Sequence, residues 1–220
     1  MLAKIKFCGL TRADDAAFAA ELGAGYVGVI FAESVRRLDS AAASDVLAAA
    51  GSTVKRVGVF GTNSPEEIGR TTSDVALDVV QLHADPTAAD VIAVRERFSG
   101  EIWAAMRLGD AHLPDESQIL LEAADAIVLD ARSQHLLGGT GQPLPWSDLA
   151  ADLARVRGGV SIVLAGGLTA GNVETAIRTL APDVVDVSSG VESSPGVKDR
   201  RLMASFAAVV AGSARGKNAL

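Results

Sequence analysis

The sequence predicts an α/β fold closed as a single (β/α)8 barrel, and three observations carry that prediction. Short apolar, β-branched runs alternate with alanine-rich helical stretches eight times, at roughly 27 residues per unit. Polar and reactive residues, scattered through the sequence, fall at the ends of those runs. The seventh and eighth runs are each followed by a glycine-rich turn. Such alternation implies right-handed crossovers and a parallel sheet. The rival open, doubly wound sheet would carry G-x-G-x-x-G after its first strand, but CGLT, residues 8–11, stands there instead.

The elements follow in order. Lys4 to Cys8 reads as the first strand, and Asp14 to Leu22 as the first helix, with Thr11 or Asp14 near its cap. YVGVIF (26–31) is the second strand, followed by a helix over 41–50. KRVGVF (55–60) is the third, and Pro65 then opens a short helix at its favoured first-turn position. The fourth strand, LDVVQLH, starts at Leu77, and its helix runs from near Pro86 to Phe98. EIWAAMR (101–107) is the fifth, with a helix near Pro114 to Glu122, and AIVLD (126–130) is the sixth. ARSQHLLGGTGQPLPW (131–146) then breaks the pattern with three glycines and two prolines, long for a βα connection and suited to a lid or a linker. A sixth helix begins near Ser147. SIVLAG, a helix over 170–180, DVVDVSS and a helix from Asp199 to Val210 complete eight units. Residues 1–212 are thus expected as one catalytic barrel domain and 213–220 as a polar tail.

Composition narrows the partners. The formal net charge is -7 with no basic cluster, which argues against nucleic acid and against anionic membrane surfaces. A single cysteine forms no internal disulfide, no signal peptide opens the chain and no apolar run has membrane-spanning length. The expected setting is the cytoplasm. The assembly is left as monomer or homodimer.

In a barrel the chemistry gathers where strands end at their C-termini. Cys8, Arg36 and Arg37, Asn63, Gln81 and His83, Arg107, Asp130, Gly166 and Gly167, and Asp186 with Ser188, Ser189 and Gly190 all follow or close strands. LAGGLTAGNV (164–173) and VDVSSGVESSPG (185–196) each read as strand, tight glycine turn, helix start. Glycines let backbone N–H groups approach an anion, and helix N-termini favour negative charge. Gly166, Gly167, Leu168, Ser188, Ser189 and Gly190 are therefore candidates for a phosphate site, although the same glycines also suit plain tight turns. Cys8 and Asp130 close nonadjacent strands and can face each other across the mouth as base and acid. A lone cysteine is otherwise a buried structural thiol. As a base, Cys8 needs a local donor or helix terminus, because free thiols titrate at about 8.5.

These pieces resemble one family closely. KIKFCGLTRADDA, GYVGVIF, VGVF, VVQLHAD, IVLDA, GGTGQPLPW, LAGGLTAGNV and VDVSSGVESSPGVKD, in this order from residue 4 to about 199, are similar to phosphoribosylanthranilate isomerases of tryptophan biosynthesis. The resemblance implies conversion of N-(5-phosphoribosyl)anthranilate to 1-(2-carboxyphenylamino)-1-deoxyribulose 5-phosphate. Cys8 would be the general base and Asp130 the general acid. The family's arginine for the anthranilate carboxylate sits in an S-x-R pattern. Ser34 and Arg36 match it with one residue deleted, whereas an ungapped match reaches Arg37. Asp186 would orient the sugar or amine, and Gln81 and His83 would line the pocket. Gly138, Gly139, Thr140 and Gly141 fall on the lid motif. The chain departs from the pattern at Ala84, where glycine is usual, at Leu144, Pro145 and Trp146, and in FAESVRR, which lacks the usual proline and lysine.

The implied reaction is an Amadori rearrangement without redox chemistry, so no cofactor is expected. No metal is expected either: His83, His112 and His135 are far apart in sequence and lack ligand spacing. The expected partner is a small phosphorylated substrate. The alternatives are another phosphosugar isomerase or epimerase on the same barrel, a dual-substrate isomerase, and a non-catalytic phosphoanion-binding barrel that would not need both Cys8 and Asp130.

Overall fold

The computed structural model describes residues 3–107, 113, 117–130, 146–156 and 159–213. Eight parallel strands close in sequence order into a barrel: β1 (Lys4–Phe7), β2 (Tyr26–Ile30), β3 (Lys55–Phe60), β4 (Val79–Leu82), β5 (Glu101–Arg107), β6 (Ala126–Asp130), β7 (Ser161–Ala165) and β8 (Val184–Val187). The helices α1 (Ala13–Glu21), α2 (Ser40–Ala48), α3 (Pro65–Val75), α4 (Ala88–Arg95), α5 (Ser117–Ala123), α6 (Trp146–Val156), α7 (Val173–Leu180) and α8 (Arg200–Ser213) follow the strands in turn. Closure is made by β1 on β8, in a register that sets Lys6 beside Asp186.

Alternation along each strand splits its side chains between two cores. One set faces the helices and joins the large outer cluster, in which Phe7, Val27, Val80, Ile102, Ile127, Ile162 and Val185 are buried. The other faces the barrel axis, where Tyr26, Val57, Val79, Trp103, Val128, Val163 and Val184 pack together. Tyr26 and Trp103 meet edge to face with ring centroids 4.8 Å apart. This plug makes an apolar floor, and the polar residues of the upper barrel stand on it.

Several boundaries differ from the sequence expectation, each for a local reason. The α1 cap is Arg12, with no side-chain cap hydrogen bond. Thr11 instead donates its hydroxyl to the Gly196 carbonyl at 2.5 Å, a tertiary contact. Pro65 does sit in the first turn of α3, and Ser64 and Glu67 form a reciprocal capping box there. A second box, Thr87 with Asp90, holds α4 back to Ala88, beyond the expected start at Pro86. Residues 170–172 are loop, because Asn172 accepts from the Thr169 N–H at 2.8 Å and donates to the Gly167 carbonyl at 3.0 Å. The stretch after β8 is a 3-10 turn (Ser189–Val191) leading into an antiparallel hairpin, β9 (Glu192–Ser194) and β10 (Val197–Lys198). That hairpin was not expected from the sequence. Among the described residues, no helix is long and apolar enough to cross a membrane.

Candidate active site

The C-terminal ends of the strands open into one pocket. Its lining includes Cys8, Arg36, Gln81, His83, Asp130, Gly166, Gly167, Leu168, Asp186, Ser188, Ser189 and Gly190. Strand ends that lie more than 170 residues apart in sequence therefore converge on a single mouth. The expected lid residues Gly138, Gly139, Thr140 and Gly141, with His112 and His135, lie outside the described residues. Two rim candidates face elsewhere. Arg107 forms an ion pair with Asp85 at the surface, and Asn63 accepts from the Gly61 N–H at 3.2 Å within its own turn. Between the two arginines, Arg36 is partly buried and lines the pocket, whereas Arg37 is exposed, bridges Ile30 through its backbone and donates its N–H to the Ser34 carbonyl.

Cys8 continues the β1 ladder, its N–H bonded to the Val187 carbonyl at 2.9 Å, and its thiol is buried. The residue that explains its surroundings is Lys6, which the sequence reading did not single out. Lys6 points inward and is 0% exposed. Its Nζ donates to Asp186 Oδ2 at 2.6 Å, to Gln81 Oε1 at 2.8 Å and to Cys8 Sγ at 3.2 Å. Burial alone would lower the Lys6 pKa, but Asp186 and the Cys8 sulfur override it and the pKa is raised, so this lysine is an ammonium. Burial pushes the Cys8 thiol up and Asp186 adds to it; Lys6 and, more weakly, Lys198 oppose that shift without cancelling it, so the thiol pKa stays raised. The other Asp186 oxygen, Oδ1, is buried with no hydrogen-bond partner among the described residues, an acceptor suited to an incoming hydroxyl or N–H.

The lysine also orders the opposite wall. An ammonium only donates, so Gln81 must turn its carbonyl to Lys6 and its amide N–H toward His83 Nδ1, 3.1 Å away. His83 Nδ1 is then an acceptor and its proton sits on Nε2, which faces Asp130 Oδ2 at 3.3 Å. A continuous chain of contacts thus runs Cys8, Lys6, Gln81, His83, Asp130 across the mouth.

A second network holds Arg36. Its Nε and Nη2 grip Glu192 at 2.8 and 2.5 Å, and Lys198 Nζ holds the same carboxylate at 2.9 Å and the Ser188 carbonyl at 3.1 Å. Burial works against the Glu192 charge, but Arg36 and Lys198 overcome it and pull the pKa down to about 2. Glu192 and Lys198 lie in VESSPGVKD, where only their place on the unexpected hairpin could have marked them. The hairpin is itself anchored on α1: Lys198 N–H donates to the buried Asp15, which Arg12 clamps from the other side.

The two glycine loops meet at the far side of the pocket. Gly166 and Gly167 have φ of 89° and 63°, values that L side chains rarely adopt. At Gly190 the requirement is steric: a Cβ there would lie 1.9 Å from the Leu168 carbonyl oxygen. Glycine alone lets the loops after β7 and β8 touch. Among the described residues, no group of three or more His, Cys, Asp or Glu side chains converges as a metal site.

A thiol and a carboxyl group at one mouth, with cations beside them and two glycine loops opposite, define a barrel enzyme built for acid–base chemistry. The model of the N-(5'-phosphoribosyl)anthranilate (PRA) isomerase family matches residues 5–209. The chain belongs to that family. It is 44% identical over 206 residues to the N-(5'-phosphoribosyl)anthranilate isomerase of Rubrobacter xylanophilus, covering 93% of this chain and 97% of that one. The phosphoribosyl anthranilate isomerase of Thermotoga maritima superposes with a TM-score of 0.86 at 33% identity, covering 96% of this chain and all of that one. A phosphoribosyl anthranilate isomerase solved in complex with reduced 1-(o-carboxyphenylamino)-1-deoxyribulose 5-phosphate superposes with a TM-score of 0.82 at 31% identity, with 96% of this chain covered and all of that one.

Proposed function

We propose that this chain isomerises N-(5-phosphoribosyl)anthranilate to 1-(2-carboxyphenylamino)-1-deoxyribulose 5-phosphate, a step of tryptophan biosynthesis, with Cys8 as general base and Asp130 as general acid. The observation that carries the assignment of roles is the convergence of Cys8, Asp130, Arg36 and the two glycine loops on one pocket, in a chain of this family. Asp130 donates its carboxyl proton to the ribose ring oxygen as the C1–O bond breaks, leaving a protonated imine between C1 and the anthranilate nitrogen. The Cys8 thiolate then removes the proton from C2. The C–H electron pair forms the C1–C2 double bond, and the imine π pair moves onto nitrogen. The enolamine becomes the ketone when the C2 hydroxyl loses its proton and C1 gains one. Between turnovers the proton held by Cys8 returns to Asp130, so substrate and product are isomers and the enzyme is restored.

Substrate grip is divided around the mouth. Arg36, fixed by Glu192 and Lys198, takes the anthranilate carboxylate. Asp186 Oδ1 accepts from the sugar or the amine. The phosphate lies on backbone N–H groups of the loops at Gly166, Gly167, Leu168 and at Ser188, Ser189, Gly190, with residues 138–141 as lid. These remote contacts orient the reacting carbons. We place the enzyme in the cytoplasm as one catalytic domain over residues 1–212. Its described pocket comes from one chain, so a monomer or a homodimer serves equally; a solved relative presents monomers generated from the dimeric Thermotoga maritima enzyme. The test is loss of fluorescence of N-(5-phosphoribosyl)anthranilate on adding the purified chain, with Cys8→Ser alongside. Turnover by wild type and a fall of about 10²- to 10⁴-fold in the variant are expected. Wild-type protein without turnover, or a variant that keeps most of it, would reject the reading.

A further inference from the structure

A thiolate in a dry interior is unstable unless a donor or cation meets it. β1 supplies one two residues before Cys8. An ammonium has three N–H bonds and no lone pair, and Lys6 commits one to each of three acceptors on three strands or strand ends: Cys8, Gln81 and Asp186. With every N–H engaged it is fixed in place, and as a donor only it cannot itself act as a base. Space for it is made at Gly28 of β2, where a Cβ would lie 3.2 Å from both Lys6 Cε and Cys8 Sγ. The charged groups facing Cys8 come from every side: Lys6 on β1, Asp186 on β8, Lys198 on β10, and Arg36 in the loop after β2. Of these cations, Lys6 touches the sulfur.

We infer that Lys6 is a positioning residue for the base, donating to Cys8 Sγ so that the thiolate is stabilised when it forms in the buried mouth, while Asp186 neutralises the lysine's own charge. This rests on Cys8 acting as the base in the isomerisation. A lysine placed there only to neutralise Asp186 would leave the thiol titration unchanged when the two charges are removed together.

The chain has one cysteine, so thiolate absorbance at 240 nm and alkylation by iodoacetamide both report Cys8 alone in the intact protein. Lys6→Met keeps the length of the side chain and removes the cation. The alkylation midpoint should rise by about one to three pH units, a roughly 10- to 1000-fold fall in thiolate at fixed lower pH. The acid side of the kcat profile should move up by the same amount, so that part of the activity returns at high pH. Because Lys6→Met leaves Asp186 buried and unpaired, the double variant Lys6→Met with Asp186→Asn provides a neutral interior for the same titration. Lys6 draws the thiol down more than Asp186 pushes it up, so its midpoint should also exceed that of wild type. An unmoved midpoint in either folded variant overturns the inference. Wild-type protein that fails to turn over N-(5-phosphoribosyl)anthranilate would instead remove the functional reading on which the inference rests.

Discussion

Replacing Glu192 by glutamine tests whether the hairpin after β8 exists to hold Arg36. The carboxyl falls from its usual 4.5 to about 2 in the folded protein. That difference of about 2.5 units is worth roughly 3 kcal/mol at 1.36 kcal/mol per unit. The side chain is only 4% exposed, but water reaches the surrounding loop, so a working value is about 2 to 3 kcal/mol. The sign follows from proton uptake. The unfolded chain binds the proton first, so the stabilisation is complete above 4.5 and is lost as pH falls through 4.5 toward 2. Glu192→Gln should therefore unfold in urea with about 2 to 3 kcal/mol less stability at pH 7, and the gap to wild type should narrow as pH drops from 5. Arg36 and Lys198 would also lose their shared anion, so KM for N-(5-phosphoribosyl)anthranilate should rise with little change in kcat. Equal urea midpoints at pH 7, or a gap that does not narrow in acid, would refute the reasoning.

Other perturbations address the remaining parts. Asp130→Asn should fold, because the asparagine carbonyl can still accept from His83, yet kcat should fall by about 10² to 10⁴ for want of an acidic proton; steady-state kinetics with unchanged analogue affinity would show it. Gly190→Ala drives a methyl into the Leu168 carbonyl, so calorimetric affinity for a phosphate-bearing product analogue should drop about tenfold or more, equivalent to 1.4 kcal/mol. Nitrogen-15 shifts of His83 should report a protonated Nε2 and a bare Nδ1 in wild type at neutral-imidazole pH, and Gln81→Leu should abolish that preference; a bare Nε2 in wild type would break the chain from Lys6 to Asp130.

Much of this architecture is legible in one dimension. KRVGVF, EIWAAMR and AIVLD coincide with β3, β5 and β6, because a strand buried on both faces writes itself as an apolar run bounded by polar turns. The pocket candidates were legible too, since a barrel exposes its strand ends on one rim and Cys8, Asp130 and the two glycine turns fall there. Less legible were features whose partners are distant. The capping boxes at Ser64 and Thr87 are local and readable in principle. Thr11, expected near the cap of α1, stands one residue before it, and its hydroxyl serves Gly196, a partner brought near only by the fold. The hairpin of β9 and β10 is short and polar, with no periodicity to announce it, and it carries Glu192 and Lys198.

Lys6 marks the boundary between the two kinds of information. In KIKF the strict alternation determines that Lys4 and Lys6 share one face and Ile5 and Phe7 the other. For an isolated strand the lysines would take the solvent side. The sequence by itself determined that pairing of faces, the order of elements and the rim on which reactive residues gather. Only the tertiary structure decided which face is inside. Closure of β1 on β8 turns the lysine face toward the axis, leaving Lys4 exposed at the bottom and Lys6 buried beside Asp186. A period of two states which side chains point together, whereas the dielectric around them, and the counter-charge 180 residues away that makes a buried ammonium stable, come only from the closed barrel.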